Sequence, residues 1–364
     1  MAKIVILHPS DELYGADKVL MEVVGALQAE HDVQVWLPKD VTYPQAKLSS
    51  RLISLGVSVL FVDLPVLRSS YRSAKFLPTL IARCFSTWKK LREAKGDVAY
   101  INTAALAPVT LVAKAARYRT VLHLHEDLGS AVKRIVVLPL VSCSDSVVAV
   151  SSAVRRRLPR SAQGKISTIH NGFDLAKHET PPIGPPKIFL LSSRWNSWKG
   201  HREFLGAWEQ ANLSDARLVI LGAPPEVGQA VDVAGIVASM TTSSSIDLVG
   251  ETSNIDVYLA ACHVVVVPSV LPDPLPTIAI EALAAGRPVM ASNIGGLPEI
   301  IDHGVTGWLI DPTDTNAWVA ALMQANSGSG NELSANSRDV FEDRFSLVRF
   351  RSEISSLVGS LSDD

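Results

Sequence analysis

Two carboxylates, Asp273 and Glu281, stand eight residues apart in PDPLPTIAIEALAAG, where a proline-rich turn runs into a strong helix former. Paired carboxylates first suggest general acid and base work. Glu281 is the anomalous member, because its helical neighbours at i−4, i−3, i+3 and i+4 are Thr277, Ile278, Ala284 and Ala285. A carboxylate on such a face wants a partner. Spacing alone leaves a plainer reading open: Glu281 reaches water at the helix rim, and Asp273 is a turn or N-cap residue.

The segment SSRWNSWKGHREF places Arg194 and Lys199 as the two cations between a strand end and the next helix. A diphosphate there would take charge-assisted hydrogen bonds of about 1.5–3 kcal/mol each, beside a helix N-terminus. The alternative is a solvated turn. Gly15 falls where the first strand turns into the first helix, and Gly295-Gly296 precede Leu297-Pro298, placed to open a helix with amides toward a phosphate. Gly222 and Gly250 follow strands in the same way. Neither GxGxxG after the first strand nor GxxxxGK[ST] is present, which speaks against dinucleotide and P-loop sites. His125 closes the strand-like TVLHLH and is followed by Glu126 and Asp127, which would hold its proton. His123 shares that side, deeper in the strand; an ordinary hydrogen-bonded strand-end histidine is the bland alternative.

These residues need a frame. At 364 residues the chain suits two domains. Strand-like runs alternate with helical stretches: 3–7, 32–38, 57–65, 97–101, 120–125, 146–150 and 166–172 in the first half, with helices at 15–29, 74–94, 104–116 and 151–158. The second half repeats the pattern at 187–193, 216–222, 245–250, 263–269, 287–292 and 307–310, with helices from Lys199, near 225–239, around 254–260, up to 285 and across 313–358. Such alternation predicts parallel sheets covered on both faces, with ligands beyond the carboxyl ends of the strands. The link PPIGPP, 181–186, resists helix and strand alike. The expected domains are therefore 1–180 and 181–345, with a terminal helix, 346–364, packing back toward the first. Charge supports a boundary: the first 178 residues are net basic and the rest net acidic, although the whole chain carries only −2.

The basic excess peaks from Arg68 to Lys95, where Phe76, Leu77, Leu80, Ile81, Phe85 and Trp88 interleave with eight cations. This reads as a basic amphipathic helix for an anionic membrane surface, or as an ordinary helix with its apolar face in the core. Cys84, Cys143 and Cys262 lie far apart, suggesting neither a metal site nor a disulfide framework. With no signal-peptide layout or spanning stretch, a cytoplasmic setting is expected, peripheral on the inner membrane face if the helix binds lipid. No nucleic-acid partner is expected.

Together, PSVLPDPLPTIAIEALAAGRPVMASNIGGLPEII, SRWNSWKG, HNGFD and YGADKVL resemble glycosyltransferase family 4, across residues 4 to about 312. The resemblance implies an α/β chain of GT-B fold, two facing Rossmann-like domains with an interdomain cleft. It implies a hexosyltransferase that retains anomeric configuration, moving sugar from a nucleotide-diphosphate donor to a glycan or lipid-linked acceptor in polysaccharide or glycoconjugate synthesis. Glu281 would hold the ribose hydroxyls, Arg194 and Lys199 the diphosphate, and His125 the donor sugar near the reaction centre. Backbone groups of Gly15 and of Leu275, Pro276 and Thr277 would contact phosphate and sugar. Beyond the donor no cofactor is expected, and no metal, because no DxD ends a strand. Asp273 stands where the pattern has glutamate, and Tyr14-Gly15-Ala16-Asp17 has lost a glycine and the usual glutamate. A nucleotide-sugar epimerase of the same architecture and a catalytically silent nucleotide-binding homologue are the competing readings.

Overall fold

The computed structural model describes residues 1–12, 15–41, 47–68, 74–126, 128, 131–174, 187–225, 229–252, 254–329 and 331–362. They form two compact units, one of Met1–Gly172 with Leu347–Asp364, the other of Phe173–Ser346. The link 181–186 lies outside the described residues.

The first unit is built on β1 (Lys3–Leu7), β2 (Asp32–Pro38), β3 (Ser58–Val62), β4 (Val98–Asn102), β5 (Arg119–Leu124), β6 (Ser146–Ala149) and β7 (Ile166–Thr168). All pair in parallel, in the order β3-β2-β1-β4-β5-β6-β7. Their apolar runs follow from burial on both faces; every residue of β4 is buried. The crossovers carry α1 (Gly15–Leu27), α2 (Lys47–Ser54), α3 (Leu77–Ala94), α4 (Val109–Ala115), α5 (Ala131–Cys143) and α6 (Ser152–Arg155). The chain's last helix, here α14 (Leu347–Ser362), lies against α1. It buries Phe350, Ile354 and Val358, spaced four apart on one stripe, in a core with Leu20, Val23 and Leu27. Each such side chain contributes about 1.5–3 kcal/mol. Arg351 pairs with Glu22 at 2.7 Å, and Ser355 Oγ donates to the Ala26 carbonyl at 2.9 Å.

Several sequence expectations need correction. The third strand stops at Val62, because the Leu64 and Val66 amides bond back two residues and fold the chain into tight turns. The helix expected over 151–158 is the single-turn α6, with Pro159 ahead of a 3₁₀ turn. Helices α2 and α5 were not foreseen. In α3 Leu91 is buried and Leu80 and Trp88 are half-buried, while Leu77, Ile81 and Phe85, again four apart, are 57, 61 and 64% exposed, and Phe85 stacks on Trp88. The helix therefore turns one apolar edge to the core and leaves another exposed.

The second unit repeats the plan with β8 (Lys187–Ser192), β9 (Ala216–Leu221), β10 (Ile246–Gly250), β11 (Val264–Val267), β12 (Val289–Ser292) and β13 (Gly307–Ile310). The parallel order is β10-β9-β8-β11-β12-β13. Its helices are α7 (His201–Ala211), α8 (Val233–Ser239), α9 (Ile255–Ala261), α10 (Thr277–Ala284), α11 (Leu297–Ile300), α12 (Thr315–Gln324) and α13 (Asn331–Phe345). α8, expected from near 225, starts where Asp232 caps the Gly235 amide. In both sheets strand order reverses beside the first strand, so each has a switch point: β1 against β4, and β8 against β11. Among the described residues no helix is long and apolar enough to cross a membrane.

Candidate functional site

At the switch point of the second unit, the turns after β8 and β11 are stitched together. The amides of Val270 and Leu271 both donate to the Trp198 carbonyl, at 2.9 and 3.4 Å. Gly200 makes the approach possible: its φ is +77°, and an added Cβ would lie 1.8 Å from the Pro268 carbonyl oxygen. Gly222, at φ +119°, lets the turn after β9 meet the Ser193 carbonyl, where a Cβ would lie 2.0 Å away. The Trp195 amide donates to Ala223 at 2.9 Å. Three strand ends thus converge on the segment 193–200.

This packing brings Lys199 to Asp273. Lys199 Nζ lies 2.5 Å from Asp273 Oδ2 and 4.2 Å from the Trp198 ring centroid. Lys199 also acts on His201, 0% exposed, whose pKa falls to about 4, first through burial and then through that charge. Arg194 is exposed in the same turn, and Glu281 is half-buried on the fifth position of α10. Leu275 and Pro276 are buried ahead of that helix, and Thr277 opens it. Gly250 ends β10 at φ +90°, with open space where a side chain would stand.

One amide of the glycine pair is taken up within the protein. Gly296 N donates to the Asp273 carbonyl at 2.8 Å, so that amide holds the turn rather than a ligand. A Cβ on Gly295 or Gly296 would lie 2.4 Å from the Asp273 oxygen or 2.1 Å from the Pro274 oxygen. The pair therefore seats the Asp273 turn on α11. Ser269 and Ser292, beyond β11 and at the end of β12, are 0% exposed, and their hydroxyls have no hydrogen-bond partner among the described residues. Unsatisfied buried groups cost about 1–3 kcal/mol each and call for an explanation.

The remaining predicted residues lie in the first unit. Gly15 is the first residue of α1, and His125 follows β5. The expectation that Glu126 holds the His125 proton needs correction. The Glu126 carboxylate accepts the Ala104 amide and the His125 amide, at 3.1 and 3.2 Å, while the imidazole Nε2 lies 2.8 Å from Asn102 Oδ1. Asp127 lies outside the described residues. His123 does share the side, fully buried, its ring centroid 3.9 Å from that of His125. Burial holds the His125 pKa down at about 3, with the neighbouring His8 lowering it further. Burial does the same to His123.

Sequence reasoning missed His8, Asp17 and Asn102. His8 Nε2 is 2.6 Å from Asp17 Oδ1, and His8 Nδ1 is 2.9 Å from Asn102 Nδ2. The signal was register: His8 follows β1 and Asn102 ends β4, adjacent strands paired as Leu7 with Ile101. A polar residue directly after each buried run marks the first unit's switch point.

Residues 14–177 match the family described as Glycosyltransferase Family 4, and residues 174–339 match that described as Glycosyl transferases group 1. The chain is 30% identical over 209 residues to the alpha-maltose-1-phosphate synthase of Mycolicibacterium smegmatis, covering 51% of this chain and 54% of that protein. It is 29% identical over 130 residues to the D-inositol 3-phosphate glycosyltransferase of Mycobacterium marinum, covering 34% and 28%. The chain spans about half the length, or less, of these curated relatives. Among solved structures, Anabaena HepE in complex with UDP and glucose superposes with a TM-score of 0.79 at 21% identity, over 99% of this chain and all of that one. The sucrose-phosphate synthase of Thermosynechococcus elongatus gives 0.78 at 19% identity, over 99% of each chain. At such identities the superpositions speak for the fold. With two family descriptions that together run from residue 14 to 339, the chain belongs to glycosyltransferase family 4 and has the GT-B fold.

Proposed function

We propose that this chain transfers a hexose-type sugar from a nucleoside-diphosphate donor to a glycan or lipid-linked acceptor, with retention of anomeric configuration. The observation that carries the reading is the convergence of Lys199, Asp273 and the Gly295–Gly296 turn at the switch point of the second unit. A diphosphate is the ligand such a place suits, since Lys199 keeps further donor capacity beyond its bond to Asp273. Arg194 adds a second cation in the same turn, and Glu281 supplies a carboxylate for ribose hydroxyls. The UDP and UDP-glucose named for the HepE complexes favour a uridine donor as the first to try.

No side chain here is an obvious nucleophile at the sugar. The working mechanism is front-face: the departing phosphate assists the incoming hydroxyl, and fixed cations stabilise the charge that develops on the leaving group. His125, in the first unit, is the group the resemblance assigns to the donor sugar. The basic, net-positive half takes the acceptor. Its exposed α3 stripe and flanking lysines suit an anionic lipid surface, which would bring the enzyme to lipid-linked acceptors.

Thermal shift with UDP, GDP and ADP tests the donor site, and failure of all three to raise Tm would reject it. Product analysis tests retention: an α-linked product is expected from an α-donor, and a β-linked product overturns that assignment. Binding without consumption of any donor would favour a silent homologue.

A further inference from the structure

Asp17, His8, Asn102 and His125 form one unbroken hydrogen-bonded chain at the carboxyl ends of β1, β4 and β5. The spacings along it are 2.6, 2.9 and 2.8 Å. Asp17 and His8 are 3% and 0% exposed, and Asn102 is 0% exposed, so water does not compete for these bonds. Ser10 Oγ donates to the same Asp17 oxygen at 2.7 Å.

Donor and acceptor inventory then leaves little freedom. The 2.6 Å contact between His8 Nε2 and Asp17 requires a proton between them. In a neutral imidazole the other nitrogen, Nδ1, is therefore an acceptor. Its neighbour must be the amide NH₂ of Asn102, and this fixes the amide's orientation. Asn102 Oδ1 is left to face His125 Nε2, and a carbonyl oxygen accepts only from an N–H. His125 accordingly carries its proton on Nε2 and presents Nδ1 as a lone pair. His125 Nδ1 has no hydrogen-bond partner among the described residues. Burial keeps the ring neutral, with a pKa near 3, so the lone pair persists through the neutral range.

We propose that Asp17, His8 and Asn102 are positioning residues that lock His125 as the Nε2–H tautomer, so that its Nδ1 accepts a hydrogen bond from a sugar hydroxyl. The sugar half of this inference rests on the proposed transferase reading; the tautomer half stands on geometry alone. A sugar hydroxyl held by an acceptor keeps its oxygen electron-rich. The wrong tautomer would turn a donor toward that hydroxyl and change which of its lone pairs or protons is used.

The test uses the full chain labelled with ¹⁵N-histidine. Two-bond correlations from the ring protons report which nitrogen is protonated, with or without substrate. Wild-type His125 should show a protonated Nε2 and a bare Nδ1. In Asp17→Asn the new side-chain amide can donate to His8 Nε2, moving the His8 proton to Nδ1, turning the Asn102 amide round, and shifting the His125 proton to Nδ1. Asn102→Asp keeps an acceptor facing His125 and should keep the wild-type tautomer. An Nδ1–H wild type, or a His125 signal unmoved by Asp17→Asn in a variant with wild-type circular dichroism, overturns the lock. With a donor in hand, Asp17→Asn should lower kcat at least tenfold with the donor KM within about threefold. Tautomers as stated with kcat unmoved in Asp17→Asn would overturn the sugar contact alone and leave the transferase assignment intact.

Discussion

Lys199 Nζ and Asp273 Oδ2 lie 2.5 Å apart, joining residues 74 positions distant in sequence, with their side chains only 18% and 11% exposed. The family pattern has glutamate at position 273. Here the shorter carboxylate is engaged with the cation that the proposed donor site would use. Asp273 is thus a counter-charge to Lys199.

That relationship makes two substitutions diverge. Lys199→Ala strands a mostly buried carboxylate and should cost about 3 kcal/mol of stability while weakening nucleoside-diphosphate binding at least tenfold. Asp273→Asn removes the competing negative charge. It should tighten binding of the same nucleotide about threefold to tenfold at low salt, near 1 kcal/mol, while leaving the fold intact. Titration calorimetry at two ionic strengths measures both. Weaker binding by Asp273→Asn would show that the carboxylate itself meets the ligand.

Gly200 and Gly304 offer a matched pair, both at φ +77°. A Cβ on Gly304 meets nothing within 4 Å, whereas one on Gly200 would overlap the Pro268 carbonyl. Gly304→Ala should therefore cost only the left-handed backbone term, about 1 kcal/mol. Gly200→Ala adds a displacement of the 268–273 turn, and so should lose more stability and abolish nucleotide binding. Urea melts and thermal shift with nucleotide decide; equal losses in the two variants would mean that the close approach is not needed.

Which features were legible follows from how far each interaction reaches along the chain. Apolar strands and their turns are local, and the sequence pattern located them within a few residues. Lys199 and Asp273 could each be named from motif context, but their pairing depends on the Gly200 contact, which spacing does not encode. His8 and Asn102 meet across 94 residues and looked like ordinary strand-end polar groups. Helix α5 escaped because Pro139 interrupts an apolar run that lacks clear helical periodicity. The Gly295–Gly296 amides looked available for a phosphate; packing against Asp273 and Pro274 gives one of them to the backbone.

Acid stability should carry the signature of buried neutral histidines. His125 and His201 titrate near 3 and 4 in the folded chain, and burial lowers His123 in the same direction. Unfolded histidine titrates near 6.5. Between those values the unfolded chain binds protons that the folded chain refuses, so stability is full above about pH 6.5 and declines as pH falls. Each histidine contributes a slope of up to about 1.4 kcal/mol per pH unit. Urea unfolding between pH 5 and 6.5, before most carboxylates titrate, should show the decline, and His201→Gln should make it shallower. A stability that rises toward pH 5 would contradict the assignment.

The exposed stripe of α3 leads to the last prediction. Leu77, Ile81 and Phe85 occupy one face at more than half exposure, and Lys89, Lys90 and Arg92 follow them toward the helix C-terminus. Embedding an apolar side chain is worth about 1.5–3 kcal/mol at full burial, and each cation near an anionic surface about 1 kcal/mol. Neither group alone gives firm attachment; together they reach the range of micromolar partitioning. The chain should therefore co-sediment with phosphatidylserine-containing vesicles and much less with phosphatidylcholine alone. Reversing Lys89, Lys90 and Arg92 to glutamate should reduce that binding at least tenfold. Ile81→Ser with Phe85→Ser should reduce binding to both vesicle types without changing Tm, because those side chains already face water. If the charge reversal leaves co-sedimentation unchanged, α3 is not the attachment face.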